Sequence, residues 1–149
     1  MEAKMTARNG SAEWRGDLKN GSGTVTVGNG VFEGAYSYGS RFGEDEGTNP
    51  EQLIAAAQAA CFTMALTAII SAAGHAPESV RTNAIVHLRN VDGAPKLARL
   101  DIDTEGHVPG VDAAQFQHYA DEAKATCPVA RALAGIPEII VTARLVGGV

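Results

Sequence analysis

The side chains with the most chemistry to offer in this sequence are two cysteines, Cys61 and Cys127, which lie 66 positions apart. A thiol can act as a nucleophile, a metal ligand or half of a disulfide, and its surroundings decide which. Metal binding is disfavoured by spacing. Neither cysteine belongs to a CxxC pair, and His75, His87, His107 and His118 never fall at ligand spacing. His87 and His107 read as strand residues facing polar neighbours, and His118 as an exposed helix residue. A thioredoxin-type site is excluded by the same spacing, so any partnership between the two thiols must be made by the fold. Cys61 is flanked by Ala57, Ala60, Phe62 and Ala65. In the middle of a buried helix such a thiol is ordinarily inert, with its pKa raised by desolvation and no help from a helix dipole that fades beyond the first turn. A reactive Cys61 therefore needs a cation delivered from elsewhere. Cys127 precedes Pro128, which suits the first position of a helix, so Cys127 falls at an N-cap where backbone N–H groups favour a thiolate. Local physics makes Cys127 the more acidic of the two, although each thiol taken singly reads as a packing residue.

The elements that must position these groups follow from turn chemistry and periodicity. The first 47 residues hold 10 of the 17 glycines and alternating runs such as Gly23–Val27, and Asn29-Gly30 marks a tight hairpin. Strands are expected near 11–17, 22–28 and 31–38 as an antiparallel meander, with the glycine-rich, charged piece Gly39–Thr48 as a loop. Asn49-Pro50-Glu51-Gln52 then spells a helix start: an N-cap, a proline at the first helical position and a glutamine able to close a capping box. That helix runs to about Ala73, where Gly74 ends it. Ala84, Val86 and Leu88 share one face of a strand. In the next strand Ala98, Leu100, Ile102 and Thr104 oppose Arg99, Asp101, Asp103 and Glu105, with Asp92-Gly93 as the hairpin between the two. Pro109-Gly110 breaks the second strand. Asp112 and Gln115 cap a helix whose inner face is Phe116, Ala120 and Ala123, and Cys127-Pro128 opens a shorter helix ending near Gly135. A final strand spans Glu138 to Val146. The order βββ-α-ββ-α-α-β is α+β, helices on a largely antiparallel sheet, and 149 residues correspond to a single domain, 1–149.

Composition narrows the function classes. A net charge of −5 argues against a nucleic-acid binder or a polybasic membrane-surface protein. With 5% aromatics, stacking platforms for bases or sugars are hard to build, and two cysteines are too few for a disulfide-stapled secreted scaffold. Residues 1–10 are polar and lack the apolar stretch of a secretory signal. Leu53 to Ala73 contains 21 uncharged residues, long enough to span a bilayer. Nine of the 21 are alanine, however, and Gln58, Thr63, Thr67 and Ser71 interrupt the run, which reads as a helix buried inside a soluble, cytoplasmic protein.

The two cysteine contexts together carry more than either alone. The stretch from Thr48-Asn-Pro-Glu-Gln through Ala-Ala-Cys61-Phe-Thr-Met to Leu66, followed far downstream by Cys127-Pro-Val-Ala-Arg-Ala-Leu133, closely resembles the OsmC/Ohr family of thiol peroxidases. The resemblance extends to Ala12-Glu-Trp-Arg-Gly-Asp17, to Tyr36–Phe42 with its Ser40-Arg41-Phe42, and to Val108-Pro-Gly-Val-Asp112, and its details favour the OsmC branch. It implies antiparallel sheets packed on a long central helix, an intertwined homodimer, and a cofactor-free peroxidase acting on organic hydroperoxides. Cys61 would be the peroxidatic cysteine and Cys127 the resolving one. Arg41 would lower the pKa of Cys61 and polarise the O–O bond, and Glu51 would orient the guanidinium. The disulfide formed after each turnover would be reduced by an external dithiol, such as a lipoylated protein.

Glu51 and Cys61 lie ten residues apart on one helix, about 15 Å along its axis. Two such helices packed antiparallel would let Arg41 and Glu51 of one chain serve Cys61 of the other, and the alanine-rich surface would permit close approach. Phe42, Phe62 and Met64 would line an apolar substrate pocket. Gln58 stands where the family often carries histidine, and Ala130 where Cys-Pro-Val is usually followed by serine; neither change removes a required redox group. Two rival readings keep the same residues: a non-catalytic dimer with structural thiols that binds a small apolar ligand, and a redox sensor that signals through a Cys61–Cys127 disulfide.

Overall fold

A computed structural model describes residues 5–147. The chain divides into two compact units, one ending at Pro50 and the other beginning at Glu51.

The first unit is the expected meander. Strands β1 (Gly10–Arg15), β2 (Ser22–Val27) and β3 (Phe32–Tyr36) pair antiparallel in the order β1-β2-β3. The hairpin between β2 and β3 turns through Gly28 and Gly30, both at positive φ. Gly23 is required by close approach rather than by conformation. A Cβ there would stand 2.5 Å from the Tyr36 ring and 2.7 Å from the Trp14 ring, which pack edge-on at 5.2 Å. The loop expected over Gly39–Thr48 is corrected in its first part, because Tyr38–Phe42 forms a short helix, α1. Ser37 and Ser40 close a reciprocal capping box at 3.0 and 2.8 Å, which offsets the glycine at position 39. The Ser40 hydroxyl then donates to the Thr48 carbonyl, and the Asn49 amide donates to the Ser40 carbonyl.

The long helix α2 (Pro50–Ala72) leads into the second unit, with Gly74 beyond it at positive φ. By length and composition α2 is long and apolar enough to cross a membrane. Within this chain it buries one stripe, Glu51 and, two turns on, Gln58, Phe62, Leu66 and Ile70 at four-residue spacing. Phe62, Leu66 and Ile70 form a core with Leu100, Ile102, Phe116, Ala120 and Ala123. Within this chain the helix expected to be buried is covered on one face. Ala56, Ala60, Met64 and Ala68 form an exposed, uncharged row at four-residue spacing.

Strands β4 (Ser79–Val91), β5 (Ala94–His107) and β6 (Glu138–Leu145) make the second sheet. Asp92 and Gly93, both at positive φ, form the tight turn between β4 and β5. β4 and β5 pair antiparallel, in keeping with a largely antiparallel arrangement, and β6 pairs with β5 in parallel. The chain returns from the end of β5 to the start of β6 through α3 (Ala113–Thr126) and α4 (Pro128–Ala132), a crossover of the length a parallel pair needs. A chain of hydroxyls, Thr63–Thr82 at 2.8 Å and Thr82–Thr104 at 3.0 Å, ties α2 to this sheet.

Two stability predictions arise here. Asp112 and Gln115 close the capping box of α3 at 2.8 and 3.0 Å, so Asp112→Ala should cost about 1 kcal/mol in urea unfolding. On the outer face of β5, the His87 ring and then the Arg99 guanidinium, each 2.7 Å from Asp101, hold its carboxyl below the usual range. A depressed folded-state pKa stabilises above the unfolded value of about 3.9 and stops doing so as pH falls through the folded value. Asp101→Asn should therefore lower the urea midpoint at neutral pH, and the gap to the wild type should close in acid.

Candidate active site

α2 and the junction of α3 with α4 bring the two cysteines together. Cys61 lies mid-way along α2, half-buried, while Cys127 is fully buried. Cys127 takes the expected N-cap position of α4 ahead of Pro128, and its backbone N–H closes α3 on Ala123 at 2.8 Å. Its Sγ donates to Cys61 Sγ at 3.0 Å. A disulfide requires a separation of about 2.05 Å, so the pair needs to close by only about 1 Å. Burial pushes the Cys61 thiol up. The Cys127 sulfur beside it pushes in the same direction, and the Val129 backbone N–H opposes both. Cys61 therefore has the site of a nucleophile but not, from its own surroundings in this unit, the charge environment of one.

Gln58 is the third member of the cluster, and sequence reasoning did not assign it a role. It precedes Cys61 by one helical turn and is fully buried, and its Nε2 donates to Cys127 Sγ at 3.6 Å. Its Oε1 has no hydrogen-bond partner among the described residues. The available signal was a lone amide in an apolar run, three positions before a cysteine. Ala130, also buried, lies in the first turn of α4.

The other candidate residues belong to α1 and α2. Glu51 sits in the first turn of α2 and is 8% exposed. Arg41 and Phe42 belong to α1 of the first unit, with the guanidinium 5.1 Å from the Phe42 ring centre and Tyr38 packed on the same ring at 5.0 Å. Phe62 and Met64 do not share a wall. Two residues apart on a helix they point to nearly opposite sides, so Phe62 is sealed in the core while Met64 is 74% exposed. Two surface clefts of about 600 and 580 Å³, one beside Leu97, Leu133 and Ile136 and one beside His107, Pro109 and Asp112, contain neither cysteine.

Comparison with known proteins gives consistent matches. Residues 43–142 match the family described as OsmC-like protein. The chain is 43% identical over 127 residues to peroxiredoxin OsmC of Escherichia coli K12, covering 85% of this chain and 89% of that protein. It is 33% identical over 98 residues to an organic hydroperoxide resistance protein of Xanthomonas axonopodis pv. citri, covering 65% of this chain and 67% of that one. Among solved structures, an organic hydroperoxide resistance protein from Elizabethkingia anophelis superposes with a TM-score of 0.70 at 28% identity, covering 95% of this chain and 98% of that one.

Proposed function

The chain belongs to the OsmC family, and from that premise we propose that it is a thiol-dependent peroxidase that reduces organic hydroperoxides to alcohols. The observation that carries the reading is the 3.0 Å approach of Cys61 and Cys127, two unbridged thiols from distant parts of the chain at near-bonding distance. The relatives named peroxiredoxin and organic hydroperoxide resistance protein support the same chemistry.

In this mechanism the Cys61 thiolate attacks one peroxide oxygen. The O–O bond breaks, the alkoxide leaves as an alcohol after taking a proton, and Cys61 becomes a sulfenic acid. Cys127 then attacks that sulfur, a disulfide forms and water departs before a second peroxide can drive Cys61 to the sulfinic acid. An external dithiol, such as a lipoyl group, restores both thiols by exchange. No cofactor enters. The cytoplasm, which keeps free thiols reduced, is the compartment that suits the cycle.

The Cys61 thiol, pushed up by burial, needs a cation; Arg41 is the candidate, and Glu51 would orient its guanidinium. The charge-free row Ala56, Ala60, Met64 and Ala68 suits close packing against the same helix of a second chain, whose Arg41 and Glu51 would complete the site around Cys61. Phe42 and Met64, both exposed here, would wall the substrate in such a dimer, while Phe62 supports the helix from behind.

The test is dithiol-coupled turnover with cumene hydroperoxide and with hydrogen peroxide, alongside sedimentation. Dithiol oxidation that favours the organic substrate, by a dimer, is the expected result. An inert protein would overturn the activity, equal kcat/KM for both peroxides the substrate class, and a fully active monomer the shared site.

A further inference from the structure

We propose that Gln58 is the hydrogen-bond donor that activates Cys127 for the resolving step. This rests on the peroxidase reading given above and deepens it. The observation is the fully buried amide whose Nε2 lies 3.6 Å from Cys127 Sγ while its Oε1 is left without a partner among the described residues. The Cys127 sulfur, 3.0 Å from Cys61 Sγ, has lone pairs free to accept from the Gln58 Nε2 at 3.6 Å. Burying a bare amide oxygen is costly, and an apolar side chain of similar volume would avoid that cost, so packing alone does not account for a glutamine here.

The resolving step needs such a donor. Once Cys61 is a sulfenic acid, Cys127 must lose its proton inside the core and attack as a thiolate. Its lone pair forms the S–S bond to Cys61 Sγ, and the S–O bond breaks with its electron pair going to oxygen. The hydroxide that leaves takes the proton given up by Cys127 and departs as water. Cys127 is oxidised and the Cys61 sulfur is reduced from the sulfenic to the disulfide level, so no further reagent is required. At 0% exposure Cys127 has no solvent to stabilise its negative charge, and the Gln58 N–H is placed to do so. The unpartnered Oε1, on the helix face that carries Cys61, is a buried acceptor for the water formed.

The experiment is rapid mixing of one equivalent of cumene hydroperoxide with the wild type, Gln58→Leu and Gln58→Glu, across pH. Sulfenic acid at Cys61 and the disulfide are read separately by trapping and mass spectrometry. Without the donor, the disulfide step should slow about tenfold at neutral pH and its pH midpoint should rise by about one unit, since one charge-assisted hydrogen bond is lost. Sulfinic acid at Cys61 should rise in proportion, and the acceptor-only carboxylate of Gln58→Glu should be at least as impaired. A wild-type disulfide rate and midpoint in Gln58→Leu would overturn the proposal. Should the variants not fold, the folded Cys61→Ser protein gives the answer by NMR. The Gln58 side-chain amide must shift as Cys127 is titrated, and an amide indifferent to that titration also overturns it. Failure of the peroxidase reading would look different: Cys61 in the wild type would not react with peroxide at all, whatever Gln58 does to Cys127.

Discussion

Cys61→Ser is expected to reduce organic hydroperoxide turnover by at least about three orders of magnitude. A serine hydroxyl at this position stays protonated throughout the working pH range and its oxygen is a poor nucleophile toward a peroxide, so the first bond never forms. The exchange of sulfur for oxygen is small in volume and the site is half-buried, so the loss should occur in a protein that still unfolds cooperatively near the wild-type midpoint. The measurement is dithiol-coupled peroxide consumption at matched protein concentration, with unfolding curves as the control. This result separates the three readings of the two thiols. A non-catalytic dimer with structural thiols gives the same negligible consumption before and after the substitution. A sensor shows Cys61 oxidised by peroxide in the wild type but without sustained turnover.

Arg41→Met is expected to lower kcat/KM for the organic peroxide by roughly 10²–10³, the scale of removing one positioned group that stabilises charge in a transition state. Burial and the adjacent Cys127 sulfur push the Cys61 thiol up, so without a cation too little thiolate exists at neutral pH. Arg41 would supply that charge and would also stabilise the alkoxide as the O–O bond breaks. The sign of the pH effect follows. Losing the cation moves thiolate formation at Cys61 to higher pH, so the activity of the variant should climb on the alkaline side and part of the deficit should close there. The part that persists measures bond polarisation. Arg41→Lys keeps the charge but not the fork that a carboxylate can hold in place, so an intermediate loss is expected. Parallel rate–pH and alkylation–pH profiles for the three proteins make the check. Profiles that superimpose would remove Arg41 from the mechanism.

Much of this architecture was legible in local signals, and the parts that were not share a cause. Asn29-Gly30, Asp92-Gly93, Asp112 with Gln115, and Cys127-Pro128 each encode a turn or cap in a few adjacent residues, and each lies where those residues place it. α1 is hidden in the sequence because glycine at position 39 reads as a breaker, while the compensating Ser37–Ser40 exchange is a pair of reciprocal bonds that composition does not reveal. The parallel pairing of β6 is not encoded in the strand, because alternation carries no direction; the long helical connection before it is the better guide. For α2, alanine-rich, charge-free composition marked it as a helix that packs, yet could not say that this chain would cover only the Gln58–Phe62–Leu66–Ile70 stripe.

The candidate site divides in the same way. That the two cysteines belong together came from the resemblance, since 66 intervening positions carry no local signal of contact. Gln58 could be seen as an oddity in an apolar run, but its donation to Cys127 depends on the α3–α4 junction folding over α2. Phe62 and Met64 looked alike as apolar neighbours of Cys61, and helical geometry sends them to opposite sides.

Whether Cys61 and Cys127 act as one redox pair is decided by counting thiols before and after one equivalent of cumene hydroperoxide. Both thiols should disappear together, and mass spectrometry should find a single intramolecular link between residues 61 and 127. Two thiols that survive the peroxide, or a Cys61 that is oxidised while Cys127 remains free, would contradict it.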